Sequence, residues 1–323
     1  MSSLHHPRNN HELMRAIVQH RLGGPEVLEL EEVARPEPGP TEVRVRTAAA
    51  GINPVDFKVR TRGGFLGEPP FTVGWDVAGV IDAIGAGVTR LRPGERVFGM
   101  PRFPAEAATY AEYVTSPSRQ LARIPGGLSD VEAAALPLAG LTAWQALVET
   151  ADVGSGDRVL ILAAAGGVGH LAVQIAKARG AYVIGTARSE KHAFLAELGA
   201  DEAIDYTQED VAERVSDADI VLDLIGGETG QHALPAVRDG GLLITVPSGG
   251  GLPALQEAAG SRVRVTGILV EPDRVGMEAL AALAAEGALK PHVQQTFPLE
   301  QAADAHRLAE TGRTQGKLVL TVA

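Results

Sequence analysis

The stretch Asp157–Arg179, DRVLILAAAGGVGHLAVQIAKAR, constrains the chain most, because it sets a strand, a glycine turn and a helix in direct succession. Val159–Leu162 is an apolar, β-rich run that continues into Ala163–Ala165. The chain then turns through Gly166, Gly167, Val168 and Gly169, and a helical pattern restarts at His170. A unit of this order builds an anion site. Its glycines let the backbone approach a pyrophosphate, and the helix N-terminus offers unpaired N–H groups and a partial positive charge. Against the spacing G-x-G-x-x-G, the first glycine position holds Ala164, with Gly166 and Gly169 in place. A lone glycine turn is equally a tight strand-to-helix connection with no ligand, so the β/α units that follow are what favour a dinucleotide site.

Beyond Asp157 strands are predicted at 158–164, 181–187, 219–224, 241–246 and 263–269, and helices at 167–179, 190–198, 208–215 and 229–237. Alternation of this kind predicts an α/β domain with a doubly wound parallel sheet and right-handed crossovers. From Met14 to about Ile124 the pattern is different. Arg15–Val18, Thr41–Thr47, Val77–Ile84, Arg96–Phe98 and Ala111–Val114 are short apolar or alternating runs broken by glycine and proline, which predicts a β-barrel-like module. Ser129–Thr150 reads as helical, with Ser129-Asp130 as its cap. A helix over Asp273–Glu286, a strand over His292–Phe297, a helix near Leu299–Thr311 and a strand over Lys317–Val322 close the chain. The last strand is expected to return to the first module.

At 323 residues there is chain enough for two domains. The formal net charge of −11 argues against a nucleic-acid or anionic-membrane partner. The absence of cysteine excludes disulfides and thiolate metal sites and fits a cytoplasmic protein. Residues 1–13 have no apolar signal core and are expected to be a disordered tail, its His5, His6 and His11 solvated. Val159–Ala176 is uncharged and long enough to raise a membrane span, but its glycine turn, His170 and Gln174 favour a strand and a helix.

Several spaced motifs carry a family likeness. They are GINPVDFKVR (Gly51–Arg60), VGWDVAGVI (Val73–Ile81), AAALPLAGLTAWQAL (Ala133–Leu147), AAAGGVGHLAVQIAK (Ala163–Lys177), LGADEAIDY (Leu198–Tyr206) and GKLVL (Gly316–Leu320). Through them the chain resembles the zinc-independent quinone oxidoreductase branch of the medium-chain dehydrogenase/reductases, which includes zeta-crystallin-like and enone-reductase-like proteins. The resemblance implies a GroES-like catalytic domain, 14–138 and 272–323, split around a Rossmann domain, 139–271, with the active site in the cleft between them. It also implies NADPH as cofactor, no metal, and a homodimer formed by extension of the Rossmann sheet at Arg262–Val270.

Zinc chemistry needs Cys, His and carboxylate ligands around an open position. Under the resemblance, Asn53 stands where the first zinc cysteine of the wider superfamily would be, Trp75 where its histidine would be, and the four-cysteine lobe is missing. A quinone or α,β-unsaturated carbonyl is the better acceptor for such a site. It takes hydride at carbon and spreads charge onto oxygen, and one well-aimed donor in a dry site contributes about 3–4 kcal/mol. The catalytic candidates are Asn53, to orient the nicotinamide ribose or the substrate oxygen, and Lys58, to donate to the developing enolate or hold the cofactor, if it is not simply solvated. Asp56 is either a partner of Arg60 or Lys58 or a catalytic group. Thr142 resembles the family threonine on the nicotinamide side; otherwise its hydroxyl bonds the helix backbone.

Gly166, Gly167, Val168 and Gly169 are the candidates for the pyrophosphate. An NAD site carries an acid at the end of its second strand. Here Tyr182–Ala187 ends in Arg188-Ser189-Glu190-Lys191, whose cations and hydroxyl suit the 2′-phosphate of NADPH if Glu190 points away; the alternative is an exposed loop capped by Ser189. Tyr206 is expected near the adenosine phosphate, and Lys317 in the cofactor cleft. The glycines Gly249–Gly251 read as a mobile loop beside the nicotinamide, and Phe65, Leu66, Phe71 and Phe103 as pocket or core. The functional expectation is an NADPH-dependent quinone or enone reductase. The alternatives are an enoyl or alkenal reductase of secondary metabolism and a non-catalytic NADPH-binding regulatory protein.

Overall fold

Five apolar runs after Asp157, together with one not anticipated, build a single parallel sheet in a computed structural model that describes residues 12–246 and 251–322. Its spatial order is Glu202–Ile204, Tyr182–Thr186, Arg158–Ile161, Ala218–Asp223, Val237–Thr245 and Arg264–Gly267. In chain order that is third, second, first, fourth, fifth and sixth, the Rossmann arrangement, with its switch point beside Arg158–Ile161. Val159, Leu160 and Ile161 are fully buried, as a central parallel strand covered on both faces requires. The helix Gly169–Ala178 is buried from Gly169 to Ala176 and lies between this sheet and the helix Pro137–Trp144.

Seven of the remaining strands form a mainly antiparallel sheet, and Leu13–Val18 and Glu29–Ala34 form a separate pair. Glu42–Gly51 is its longest strand and pairs with Val77–Ile84, Tyr113–Pro117 and the returning Lys317–Thr321. That return, expected from the sequence, sets the C-terminal strand antiparallel to Ala49–Gly51 and parallel to Val293–Pro298. An apolar core continues from this module into the Rossmann domain, with Trp75 and Phe98 at one end and Leu171 and Ile161 at the other.

Several expectations are corrected. The first strand opens at Leu13, inside the segment read as tail, and pairs with an unanticipated strand at Glu29–Ala34; residues 1–11 lie outside the described residues. The strand expected at Ala111–Val114 runs over Tyr113–Pro117, because Ala111 instead bridges Ala16. The helix Pro54–Arg62 was hidden by a sequence with almost no apolar periodicity. Ser189 caps nothing with its side chain; its N–H donates to Asp205 Oδ2 at 2.9 Å. Of the glycine loop Gly249–Gly251 expected beside the nicotinamide, Gly249 and Gly250 lie outside the described residues.

Candidate active site

Where the two modules meet, hydrogen bonds fasten the returning chain to the glycine turn. Gly316 N–H donates to Ala165 O at 2.9 Å, and Lys290 N–H to Gln174 Oε1 at 2.8 Å. His292 N–H donates to His170 Nε2 at 3.1 Å, which leaves the proton on Nδ1, 2.9 Å from Gly166 O. Burial pushes His170 down to about 4, so this linker is neutral. The two polar residues that argued against a membrane span therefore serve to dock one module on the other.

Beside these contacts lies a cleft of two connected parts, which share Ala163, Gly166 and Thr314. The outer part is about 620 Å³ and brings together Arg188, Lys191, Tyr206 and Arg313. Arg188 Nε donates to Tyr206 Oη at 3.4 Å, and Lys191 Nζ donates to Arg313 O at 3.0 Å. Glu190 also lines this part, beside the cations. Arg313 was missed because it lies 122 residues beyond Lys191, and only the C-terminal return brings them together.

The glycine turn forms the floor. Ala163 begins it in the left-handed region, with φ of 53°. A Cβ on Gly169 would stand 2.3 Å from Ala163 O and 2.7 Å from Ala164 Cα, so this position admits only glycine. Gly166 and Gly167 present bare backbone to the cleft. Thr314 Oγ1, at the junction of the two parts, is buried without a hydrogen-bond partner. Such an orphaned hydroxyl, with the cations at one end and the bare turn below, fits a ligand that carries phosphates.

The inner part is smaller, about 230 Å³, and mostly apolar, walled by Phe57, Leu138, Leu224 and Leu318. Its polar corner is built from three modules of sequence. Asn53 N-caps the helix Pro54–Arg62, and its backbone N–H donates to Asp56 Oδ2 at 2.8 Å. Asn53 Nδ2 donates to Asp76 Oδ2 at 2.8 Å, and Leu138 N–H donates to Asp76 Oδ1 at 2.7 Å. Lys317 Nζ donates to Ile52 O at 2.9 Å and to Asn53 Oδ1, and lies 3.4 Å from Asp76 Oδ2. Burial pushes the Asp76 carboxyl up, while Lys317, Asn53 and Leu138 N–H pull it back. Because both oxygens already accept from donors, Asp76 acts as an acceptor.

Behind this corner Asp56 accepts Tyr110 O–H at 2.9 Å, and Tyr110 Oη lies 3.1 Å from His306 Nε2. His306 Nδ1 takes Arg60 Nη1–H at 3.0 Å, and Arg60 Nη2 donates to Glu310 Oε1 at 2.6 Å. Asp56 is thus bound to neither Arg60 nor Lys58. It ties the Asn53 turn to the helix Ala302–Glu310.

Some candidates fall outside the cleft. Lys58 is exposed on its helix and lines neither part; the lysine at the polar corner is Lys317. Thr142 is buried, and its hydroxyl donates to Leu138 O at 2.7 Å, while Leu138 and Ala139 line the inner part. Phe71 and Phe103 are core, Phe65 stacks edge-on with Phe103, and none of these nor Leu66 lines the cleft. Trp75 is fully buried, its Nε1 donating to Ala105 O at 2.8 Å.

Residues 39–126 match the alcohol dehydrogenase GroES-like domain, and residues 198–320 match the zinc-binding dehydrogenase family. The chain is similar to a 2-haloacrylate reductase of a Burkholderia species, 35% identical over 95% of this chain and 99% of that one. It is also similar to a quinone oxidoreductase of Pseudomonas aeruginosa, 36% identical over 92% of this chain and 96% of that one. Among solved structures, the quinone oxidoreductase of Coxiella burnetii superposes with a TM-score of 0.92, at 36% identity, over 97% of this chain and 100% of that one. The Escherichia coli quinone oxidoreductase complexed with NADPH superposes with a TM-score of 0.85, at 31% identity, over 95% and 99%.

Proposed function

The chain belongs to the quinone oxidoreductase branch of the medium-chain dehydrogenase/reductases, and we propose that it is an NADPH-dependent reductase of quinones or α,β-unsaturated carbonyls that works without zinc. The observation that carries this reading is the single cleft, cationic at its outer end, floored by the glycine turn and closed by a small apolar pocket with Asn53 in its wall. In the proposed division the catalytic domain is 14–138 with 272–323, and the Rossmann domain is 139–271.

NADPH, when bound, supplies hydride to the conjugated carbon of the acceptor. Arg188, Lys191 and Arg313 hold the 2′-phosphate, with Tyr206 at the rim. Gly166, Gly167 and Val168 offer close backbone to the pyrophosphate, and Gly169 lets the helix start tightly beneath it. Ser189 contributes through the Asp205-braced turn that carries Arg188. Thr142 acts indirectly, by fixing the carbonyl of Leu138 in the wall. Asn53 faces the carbonyl oxygen as charge develops there. Lys58 takes no part.

The donor set does not suit zinc. Asn53 is engaged by Asp76 and Lys317, Trp75 offers no ligand, and the sequence has no cysteine. Among the described residues the inner pocket's one cation, Lys317, is matched by Asp76. That favours an uncharged acceptor over a carboxylate such as a 2-haloacrylate. The Rossmann edge strand Arg264–Gly267, paired on one side only, is the proposed surface for a homodimer in the cytoplasm. No described helix is long and apolar enough to cross a membrane.

The test is NADPH oxidation by the purified protein against a monocyclic quinone, a short enone, an enal, an enoyl thioester and 2-chloroacrylate. Turnover with the first three above the last supports the reading. Preference for 2-chloroacrylate would overturn its substrate class, and binding of NADPH with no turnover would favour a binding protein.

A further inference from the structure

We propose that Asp76 and Lys317 are positioning residues that lock the Asn53 side-chain amide as a hydrogen-bond donor into the inner cleft, so that the site reads an uncharged carbonyl oxygen. This rests on the proposed reductase function for its consequence, though not for its geometry. An asparagine amide can be turned either way, with oxygen or nitrogen toward a ligand. Here its neighbours remove the choice. Lysine has only donors, and Lys317 Nζ faces Asn53 Oδ1. Ionised aspartate has only acceptors, and Asp76 Oδ2 takes a proton of Asn53 Nδ2 at 2.8 Å. Turning the amide over would set N–H against ammonium and oxygen against carboxylate.

The rest of the cluster is already committed. Lys317 has three protons and three acceptors: Ile52 O, Asn53 Oδ1 and Asp76 Oδ2. Asp76 accepts Leu138 N–H on its other oxygen. Lys317 has no proton to spare for a ligand, both Asp76 oxygens are already engaged, and the two charges neutralise each other. Among the described residues, the second proton of Asn53 Nδ2 is the one side-chain N–H of the three without a protein partner, and Asn53 lines the apolar inner pocket. All three residues are at most 3% exposed, so the arrangement is built in a dry site, where orientation is decisive. A neutral carbonyl oxygen matches one preset donor; a carboxylate would need a cation, and the one cation among the described residues lining the pocket is already paired.

The test is a double-mutant cycle between Lys317→Met and Asn53→Ala, read in kcat, KM and NADPH affinity with a short enone, alongside NMR of the Asn53 side-chain amide. That amide signal is identified by its loss in Asn53→Ala. Lys317→Met should lower kcat about ten- to a hundred-fold. NADPH affinity should change less than about three-fold, and no further loss should appear in the Asn53→Ala background. In the same variant the Asn53 amide protons should exchange faster with water. Should the unpaired Asp76 unfold it, Lys317→Met with Asp76→Asn removes both charges and should show the same kcat loss and the same exchange. Unchanged Asn53 exchange, or kcat losses that multiply across the cycle, would overturn the positioning role. An inactive wild-type protein with accelerated exchange in the variant would instead overturn the reductase reading alone.

Discussion

The Ala164 methyl lies against the bare Cα of Gly185: a Cβ on Gly185 would stand 2.8 Å from that of Ala164. This explains the departure from G-x-G-x-x-G. The first glycine position is filled by alanine, and the room it needs is left on the neighbouring strand. Gly185→Ala should therefore overpack the turn and destabilise the protein by about 1–3 kcal/mol. Adding Ala164→Gly should recover part of that loss in denaturant unfolding, since it removes the closest clash and leaves Leu195 Cδ1 at 3.1 Å to yield.

The outer cleft supplies a test of cofactor choice. Arg188→Ala and Lys191→Ala should each weaken NADPH binding by about ten-fold or more and leave NADH binding nearly unchanged. Arg313→Ala should behave in the same way, a result that nothing in the motif after the second Rossmann strand anticipates. Calorimetric titration with both dinucleotides checks it; equal losses for the two would remove the 2′-phosphate assignment.

Much of the fold was legible because it rests on local pattern. The alternating units after Asp157 specify the parallel sheet, and Val77–Ile84 was located to the residue. The short strand Glu202–Ile204 and the polar helix Pro54–Arg62 were not, since neither carries the apolar period that marks an element. The residues local in sequence, Gly166–Gly169 with Arg188 and Lys191, do line the cleft as expected. On the C-terminal return, Lys317 was expected in the cleft and lines it, whereas Arg313 was missed and Lys58 was misplaced. Lys58 lies five residues from Asn53 in sequence and yet faces solvent, whereas Lys317 reaches Asn53 across 264 positions. Helix phase and chain return decide those placements, and a motif carries neither.

Three buried groups set the response to acid. His306 is held down to about 3 by burial with help from the Arg60 cation, and His170 down to about 4 by burial. Their unfolded values are about 6.5, so the unfolded chain binds protons first, and their contribution to stability is lost as pH falls through that window. Asp56 is opposite. Burial, reinforced by Asp76, pushes it up to about 7, so its contribution is present below about pH 4 and is lost as pH rises through about 7. His306→Gln should flatten the loss of stability between about pH 6.5 and 4, and Asp56→Asn should steepen it. Urea unfolding across that range reads both slopes.

Within the turn Gly166–Gly169, the glycine that cannot change is Gly169. Gly169→Ala would drive a methyl into Ala163 O and Ala164 Cα, both backbone. It should cost more than about 1–3 kcal/mol in stability and abolish NADPH binding. Gly166→Ala, whose nearest obstacle is Ala163 O at 3.2 Å, should fold normally and lose affinity for dinucleotide alone. Thermal unfolding with and without NADPH separates the two.

The most direct measurement is the steady-state oxidation of NADPH, and separately NADH, by the metal-stripped protein with benzoquinone and with methyl vinyl ketone. We expect turnover of at least one acceptor, preferring NADPH by about ten-fold or more in kcat/KM, with no gain on adding zinc. Activity that appears only with zinc, or equal use of NADH, would contradict it.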